Sequence, residues 1–186
     1  PKSRNTEDFL ITYTGELSED RIPHALLRAL SRLEDSNIKL QFIGNTCPEL
    51  KQEIQQLNLG NKVILKPYMP HIASIAELQQ SDLLLLVINQ VANGKGIVPG
   101  KIFEYLGTRK PILCLGDPTG EAGEIIKTTN SGFCIAHHNE EEIFILLSRL
   151  SSGVLPGLSF QTEQFERKNE TGQLCDIFNT LVNKPS

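Results

Sequence analysis

Residues 83–88 have the sequence Leu-Leu-Leu-Leu-Val-Ile, in which every position is apolar. Such a run predicts a strand with both faces buried, because a strand with one face in water alternates apolar and polar residues. A strand of this kind lies near the middle of a parallel sheet. Five further short apolar runs predict strands, at 9–14, 38–43, 63–66, 111–115 and 132–136.

Segments with helical periodicity separate these runs, so the chain is predicted to be an α/β domain built from strand–helix units. Between 22 and 33, for example, apolar residues recur three or four positions apart, and Pro23 suits a first helical turn. Further helices are predicted at 48–57, 72–78, 101–108, 124–129 and 140–150.

Right-handed crossovers favour the doubly wound, Rossmann-like order 3-2-1-4-5-6 for the six-stranded parallel sheet, with helices on both faces. In that order the ligand crevice lies outside the carboxyl ends of strands one and four. The loops at 14–21 and 89–100 are therefore the segments in which a site is expected.

The 186 residues are enough for one domain with its own core, which we predict at 9–150. Residues 1–8 form a polar lead, and residues 151–186 form a tail without a strand. A last helix in this tail is expected to pack on the body or on a neighbouring domain. Because the chain starts at Pro1 and its single methionine is Met69, we expect it to be a piece of a longer protein.

The composition excludes several kinds of partner. With 22 acidic and 18 basic residues the net charge is −4, which argues against nucleic acid or an anionic membrane as the main partner. No stretch approaches the roughly 18 apolar residues of a membrane span. The 4 cysteines form no Cys-x2-Cys pair, so they are expected to act as reduced, small apolar residues in a cytosolic protein.

The loop that follows the central strand is rich in glycine and runs directly into a helix. Residues 93–101 have the sequence Asn-Gly-Lys-Gly-Ile-Val-Pro-Gly-Lys. Glycines let a backbone approach a ligand closely, and a helix start presents unpaired N–H groups at the positive end of the helix dipole. With two lysines beside them, these features suit a diphosphate. The alternative is an ordinary solvent-exposed loop whose glycines permit tight turns.

Neither of the two best-known phosphate-binding motifs is present. Only three residues separate Gly96 from Gly100, and Ile102 stands where a P-loop has Ser or Thr. The first strand is followed by a single glycine, Gly15, and the second ends at Asn45 rather than at an acidic residue. The dinucleotide-binding fingerprint is therefore absent as well.

Glu104 lies one turn into the helix that follows the glycine-rich loop. If Phe103 and Leu106 face the core, its carboxylate points back toward the crevice and can accept hydrogen bonds from two sugar hydroxyls. The alternative is a solvated glutamate on the helix surface.

Other polar residues are weaker candidates. Asp117, Gly120 and Glu121 follow the fifth strand, where they could touch a ligand at the crevice rim, but a turn explains Asp117 equally well. His137 and His138 follow the sixth strand without a third ligand at metal-binding spacing, so a solvated loop pair is expected there.

Residues 98–113, Val-Pro-Gly-Lys-Ile-Phe-Glu-Tyr-Leu-Gly-Thr-Arg-Lys-Pro-Ile-Leu, resemble the signature of the donor-binding half of GT-B glycosyltransferases of the large retaining group 1 family. Bacterial members that build surface polysaccharides are particularly similar. The resemblance covers about residues 9–150 in the right order, and its other matches are Tyr13–Leu17, Arg21, Phe42–Asn45, Ser81–Leu83, Gly120 and Glu124.

The resemblance implies roles for individual residues. Glu104 matches the ribose-binding second glutamate of the family's Glu-x7-Glu motif, and Arg21 replaces the basic residue that neutralises the donor diphosphate. The other residues implied for the diphosphate are Gly15, Gly96, Ile97, Val98, Pro99, Gly100 and Lys101. The nucleotide base is expected beside Pro67, Tyr68 and Met69.

Two positions depart from the family pattern. Gly96 stands eight residues before Glu104, where the family has the glutamate that touches the transferred sugar. Glu16 stands where many members have a phosphate-binding arginine. The identity of the donor sugar is therefore left open.

The resemblance implies the carboxyl-terminal half of an enzyme that transfers a sugar from a nucleotide-diphosphate sugar, with retention of configuration and without a metal or other cofactor. An amino-terminal acceptor domain is expected to complete it, so this chain alone should bind the donor without efficient transfer. The implied acceptor is a glycan or a lipid-linked glycan. The implied location is cytoplasmic, at the inner membrane only through the other domain.

Two other functions stay open. A nucleotide-sugar epimerase of the same architecture would also bind a nucleotide diphosphate. A non-catalytic doubly wound module would use the crevice for a partner instead. Binding of nucleoside diphosphates separates the glycosyltransferase and the epimerase from the non-catalytic module.

Overall fold

The computed structural model describes residues 8–34, 36–91, 94–154 and 157–165. Its strands are β1 (Phe9–Thr14), β2 (Ile38–Ile43), β3 (Val63–Lys66), β4 (Leu83–Val87), β5 (Ile112–Leu115) and β6 (Gly132–Ile135). They form a six-stranded sheet of order β3-β2-β1-β4-β5-β6, and all neighbours are parallel. The predicted doubly wound order is confirmed.

The described α-helices are α1 (His24–Ser31), α2 (Pro48–Gln56), α3 (His71–Gln79), α4 (Lys101–Thr108), α5 (Glu121–Thr128) and α6 (Glu140–Ser151). Apolar side chains of α1, α2 and α6 pack on one face of the sheet. Those of α3, α4 and α5 pack on the other face. Helices therefore cover both faces, as predicted.

Strand β4 explains why residues 83–88 are apolar throughout. Leu83, Leu85 and Val87 point into the core on the α1 and α6 side. Leu84 and Leu86 point into the core on the α4 and α5 side. Each of these side chains is at most 5% exposed, so no position of the strand faces water.

Helix α5 begins three residues earlier than the pattern predicts, at Glu121 rather than at residue 124. Gly123, a poor helix former, obscures this first turn in the sequence. In the fold its missing side chain is required, because a Cβ there would come within 2.6 Å of the Pro118 carbonyl oxygen. Close packing of the helix on the preceding loop therefore overrides helix propensity.

After α6, residues 157–165 cross the α5 side of the domain. The N–H of Gln161 donates to the Thr129 carbonyl at 2.7 Å, and the Phe165 ring lies 5.8 Å from the Phe103 ring. The predicted last helix lies outside the described residues. Among the helices that the structure describes, none has both the length and the apolar character needed to cross a bilayer.

Candidate functional site

A cavity of about 220 Å³ lies at the carboxyl ends of β1 and β2. Its walls come from strand ends, from the loop after β3 and from the first turns of α3 and α4. The lining residues are Thr14, Gly15, Ile43, Tyr68, Met69, His71, Ser74, Lys101 and Glu104. The fold thus brings together five residues that the sequence predicts for a donor site, from three separate segments: Gly15, Tyr68, Met69, Lys101 and Glu104.

Lys101 is the cation of this cavity. Its ammonium group donates a hydrogen bond to the Thr14 carbonyl and lies 4.8 Å from the centre of the Tyr13 ring. Burial lowers the pKa of Lys101, the Arg21 charge lowers it further, and the Glu104 carboxylate partly offsets both effects. A bound anion would favour the charged form, because it would compensate this unfavourable environment.

Arg21 belongs to a short 3-10 turn, Glu19–Arg21, beside β1. It does not line the cavity, but its charge lowers the pKa values of both Tyr13 and Lys101. Its buried Nε has no hydrogen-bond partner among the described residues. Two cations therefore approach each other at the end of β1, and one has an unused donor.

Two glycines with positive φ let the strand ends approach this cation. Gly15 has φ +113°, and a Cβ there would overlap the Lys101 ammonium group. Gly44 has φ +131°, and a Cβ there would overlap the Gly15 carbonyl. Only glycine satisfies both the backbone conformation and the space at these positions.

The glycine-rich loop before α4 has open space at two of its three glycines, Gly96 and Gly100. Gly94–Gly96 form a 3-10 turn, and the Ile97 N–H closes it by donating to the Gly94 carbonyl at 3.1 Å. A Cβ on Gly96 or Gly100 would meet no atom within 4 Å.

Three N–H groups at this helix start make no hydrogen bond within the described part of the chain: those of Val98, Gly100 and Lys101. Such N–H groups are the usual donors to anions at a helix start. Pro99 between them has no N–H to offer. The Ile97 N–H, by contrast, is already engaged in the turn.

None of the three residues predicted at the crevice rim lines the cavity, and two of them, Asp117 and Gly120, contact the glycine-rich turn instead. The Asp117 carboxylate lies 3.3 Å from the Lys95 ammonium group, and hydrogen bonds from Thr119 lower the pKa of Asp117. A Cβ on Gly120 would come within 3.0 Å of the Lys95 carbonyl oxygen. Glu121 is exposed in the first turn of α5.

Pro67 borders a neighbouring, wider cleft together with Gly44, Asn45 and Lys51. Tyr68 and Met69 line the cavity itself, and Tyr68 is 74% exposed. The segment at 67–69 therefore separates the two depressions.

The orientation expected for Phe103 is wrong, although Glu104 still faces the cavity. Phe103 is 42% exposed and packs on Phe165, whereas Ile102 and Leu106 are buried. Burial of Ile102 instead of Phe103 still leaves Glu104 on the side of α4 that faces β1.

Several site residues were not predicted. Thr14 ends β1, and His71 and Ser74 lie in the first turn of α3. The strand order does place the site in the segment 14–21, which begins at Thr14, although it assigns this residue no role. His71 is exposed and also lines the cavity. His137, expected in a solvated pair, is half-buried, and burial lowers its pKa.

The fold and the cavity define a doubly wound α/β domain with a site at the carboxyl ends of its strands, where such domains bind nucleotides. The model of one family, described as glycosyl transferases group 1, matches residues 1–152. The chain belongs to this family. No curated protein matches it.

Several solved structures share the fold. Anabaena HepE in complex with UDP has a TM-score of 0.68 and 17% identity, over 94% of this chain and 49% of that chain. A Staphylococcus aureus TarM mutant in complex with Fondaparinux, alpha-GlcNAc-glycerol and UDP has a TM-score of 0.68 and 16% identity, over 96% of this chain and 36% of that chain. The C-terminal domain of LpcC, a group 1 family protein from Francisella tularensis, has a TM-score of 0.59 and 17% identity, over 77% of this chain and 75% of that chain. The chain thus spans about half or less of the first two proteins.

Proposed function

We propose that this chain is the nucleotide-sugar-binding domain of a GT-B glycosyltransferase. The observation that carries the proposal is the convergence of Lys101, Glu104 and Gly15 on one cavity beside the start of α4. A cation, a carboxylate and a close backbone approach are what a nucleoside diphosphate requires of its site. Family membership supports sugar transfer as the reaction.

In this proposal the diphosphate lies against the start of α4. Lys101 and Arg21 supply positive charge, and the N–H groups of Val98, Gly100 and Lys101 supply donors along the helix axis. The open space on Gly96 and Gly100 allows the phosphates to approach the backbone. Diphosphate binding also explains why two cations approach each other here.

The nucleoside occupies the rest of the cavity. Glu104 lies one turn along α4 from the diphosphate donors, so its two carboxylate oxygens can accept hydrogen bonds from both ribose hydroxyls. Tyr68 and Met69 form the wall on which the base rests, with Pro67 just outside it. The polar first turn of α3 offers His71 and Ser74 as further contacts.

The chemistry of this half is electrostatic. When the glycosidic bond to the diphosphate breaks, negative charge grows on the leaving group, and Lys101, Arg21 and the helix start stabilise it. The proposal needs no metal for this role. Retention of configuration follows from the resemblance to the retaining group 1 enzymes.

We further propose that the chain is the carboxyl-terminal half of its enzyme. The span of about half of HepE and the likeness to the C-terminal domain of LpcC support this. An amino-terminal domain would then bring a glycan or lipid-linked acceptor for surface polysaccharide synthesis. The isolated chain is expected to bind the donor without efficient transfer.

Calorimetric titration with UDP, GDP and their sugar conjugates tests the proposal. At least one nucleoside diphosphate should bind, and Glu104→Gln should weaken it by about 1–3 kcal/mol through loss of charge-assisted ribose contacts. Glu49→Gln is the matched control, because Glu49 is also exposed in the first turn of a helix but lies outside the cavity. Absence of binding at millimolar concentration would overturn the nucleotide assignment. Equal affinity in both variants would overturn the role of Glu104.

A further inference from the structure

Two cysteines that are 20 residues apart in sequence are direct neighbours in the sheet. Cys114 in β5 and Cys134 in β6 are register partners. Neighbouring strands lie about 4.7–4.9 Å apart, which falls within the roughly 4.4–6.8 Å between Cα atoms that a disulfide spans. Both side chains belong to the same apolar cluster, on the α5 side of the sheet.

The two thiols differ in access. Cys114 is 0% exposed, because β5 is covered by neighbours on both sides. Cys134 is partly exposed on the edge strand β6. A small reagent can therefore reach Cys134 first.

The two thiols also differ in acidity. Interaction with the neighbouring Cys114 thiol lowers the pKa of Cys134. The same interaction and burial raise the pKa of Cys114. The thiolate, which is the reactive form of cysteine, is therefore favoured on the accessible member of the pair.

We propose that Cys114 and Cys134 form a redox-active dithiol, which low-molecular-weight disulfides such as oxidised glutathione convert into a Cys114–Cys134 disulfide. The inference is independent of nucleotide binding, because it rests on the register of β5 and β6. It assigns a covalent modification site to cysteines whose sequence spacing predicts only apolar packing.

The exchange proceeds in two balanced steps. The Cys134 thiolate attacks one sulfur of the small disulfide, which forms a mixed disulfide and releases one small thiolate. This thiolate takes the proton of the Cys114 thiol. The Cys114 thiolate then attacks the Cys134 sulfur, breaks its bond to the small sulfur and releases a second small thiolate, which takes up the proton that Cys134 lost on ionisation. The two protein thiols are oxidised, and one small disulfide is reduced to two thiols.

The experiment uses the full chain with Cys47→Ala and Cys175→Ala, so that only the pair remains. Oxidised glutathione is added under native conditions, and intact mass is followed over time. We expect a product lighter by two hydrogen atoms, no remaining free thiol, and complete return to the starting mass with a reductant. Peptide mapping should find the Cys114–Cys134 crosslink within one chain.

Two matched variants in the same background assign the steps. With Cys114→Ala, Cys134 should hold a stable glutathione adduct, because nothing resolves it. With Cys134→Ala, Cys114 in the native state should react with glutathione at least roughly tenfold more slowly than Cys134 does in the Cys114→Ala variant. In denaturant, Cys114 should react at the rate of an exposed cysteine. Circular dichroism before treatment confirms that each variant is folded.

Three results would overturn the proposal. One is a persistent glutathione adduct in the protein that keeps both cysteines. Another is a crosslink that forms only between chains. The third is equal native reactivity of Cys114 and Cys134 in folded single variants.

Discussion

The hydroxyl of Tyr105 lies 3.3 Å from the backbone nitrogen of Thr14 and 3.2 Å from its side-chain oxygen. It also donates to the Leu85 carbonyl at 3.3 Å. Tyr105 follows Lys101 by one turn of α4, and Thr14 supplies the carbonyl that Lys101 binds. One buried hydroxyl therefore joins α4 to the end of β1 and to the middle of β4.

Tyr105→Phe is expected to lower the free energy of unfolding by about 1–3 kcal/mol, because it leaves buried groups of Thr14 and Leu85 without their partner. Urea denaturation measures this change. Tyr68→Phe is the control, since the Tyr68 side chain is 74% exposed and its hydroxyl should contribute less than about 0.5 kcal/mol. Equal stability of the two variants would contradict the structural role of Tyr105.

The same hydroxyl makes stability depend on alkaline pH. Burial raises the pKa of Tyr105 from 10.0 to about 12, so the folded state keeps a proton that the unfolded state loses. This contribution is complete below pH 10 and is lost as the pH rises to 12. Tyr13, whose pKa is also raised by burial, acts in the same direction.

Urea denaturation across pH 9 to 12 measures this dependence, and a shift of two pKa units corresponds to at most about 3 kcal/mol. Tyr105→Phe should show a shallower fall over the same range, with the remainder due to Tyr13. Parallel curves for the wild type and the variant would count against the raised pKa.

The strand order could be predicted because it depends on local information. An uninterrupted apolar run identifies the central strand, and the handedness of crossovers settles the neighbours. Lys101 and Glu104 could be predicted for a similar reason, since helical spacing fixes their separation on α4. The sequence could not predict which side of α4 is buried, because Phe103 packs on Phe165, which is 62 residues away in sequence.

The contacts of the Tyr105 hydroxyl could not be predicted from the sequence either. Its partners are 91 and 20 residues away, and no local pattern predicts that a tyrosine in an apolar helix stripe binds two strands. The pairing of Cys114 with Cys134 has the same origin, because a one-residue change of register would separate the thiols to opposite faces.

Gly15→Ala should lower the stability of the fold, whereas Gly100→Ala should weaken nucleotide binding. Gly15 has positive φ and its Cβ would displace the Lys101 ammonium group, so this variant should lose about 1–3 kcal/mol of stability. Gly100 has φ −55° and ψ −27°, which alanine adopts readily, and its Cβ meets no atom of the described chain.

Gly100→Ala should therefore keep its stability within about 1 kcal/mol or gain slightly. Its nucleoside diphosphate affinity should fall, because the methyl group occupies the space through which phosphates approach. Thermal denaturation and calorimetry measure the two effects. A Gly100→Ala protein with full affinity would show that the phosphates do not contact this part of the loop.

Lys101→Met should weaken nucleoside diphosphate binding by about 10- to 100-fold, since a charged hydrogen bond contributes about 1.5–3 kcal/mol. The affinity of the plain nucleoside should stay the same, because it presents no phosphate to Lys101. Lys127→Met is the control, since Lys127 is 77% exposed on α5 and pairs only loosely with Glu124 at 3.7 Å.

The pH dependence of binding adds a second readout for Lys101. Burial and the Arg21 charge lower its pKa, so it loses its charge at a lower pH than an ordinary lysine. Wild-type affinity for the diphosphate should therefore decline as the pH rises toward 10.5, the pKa of a free lysine side chain. The decline should be smaller in Lys101→Met, whose side chain does not titrate. Identical pH profiles would mean that another group carries the phosphate charge.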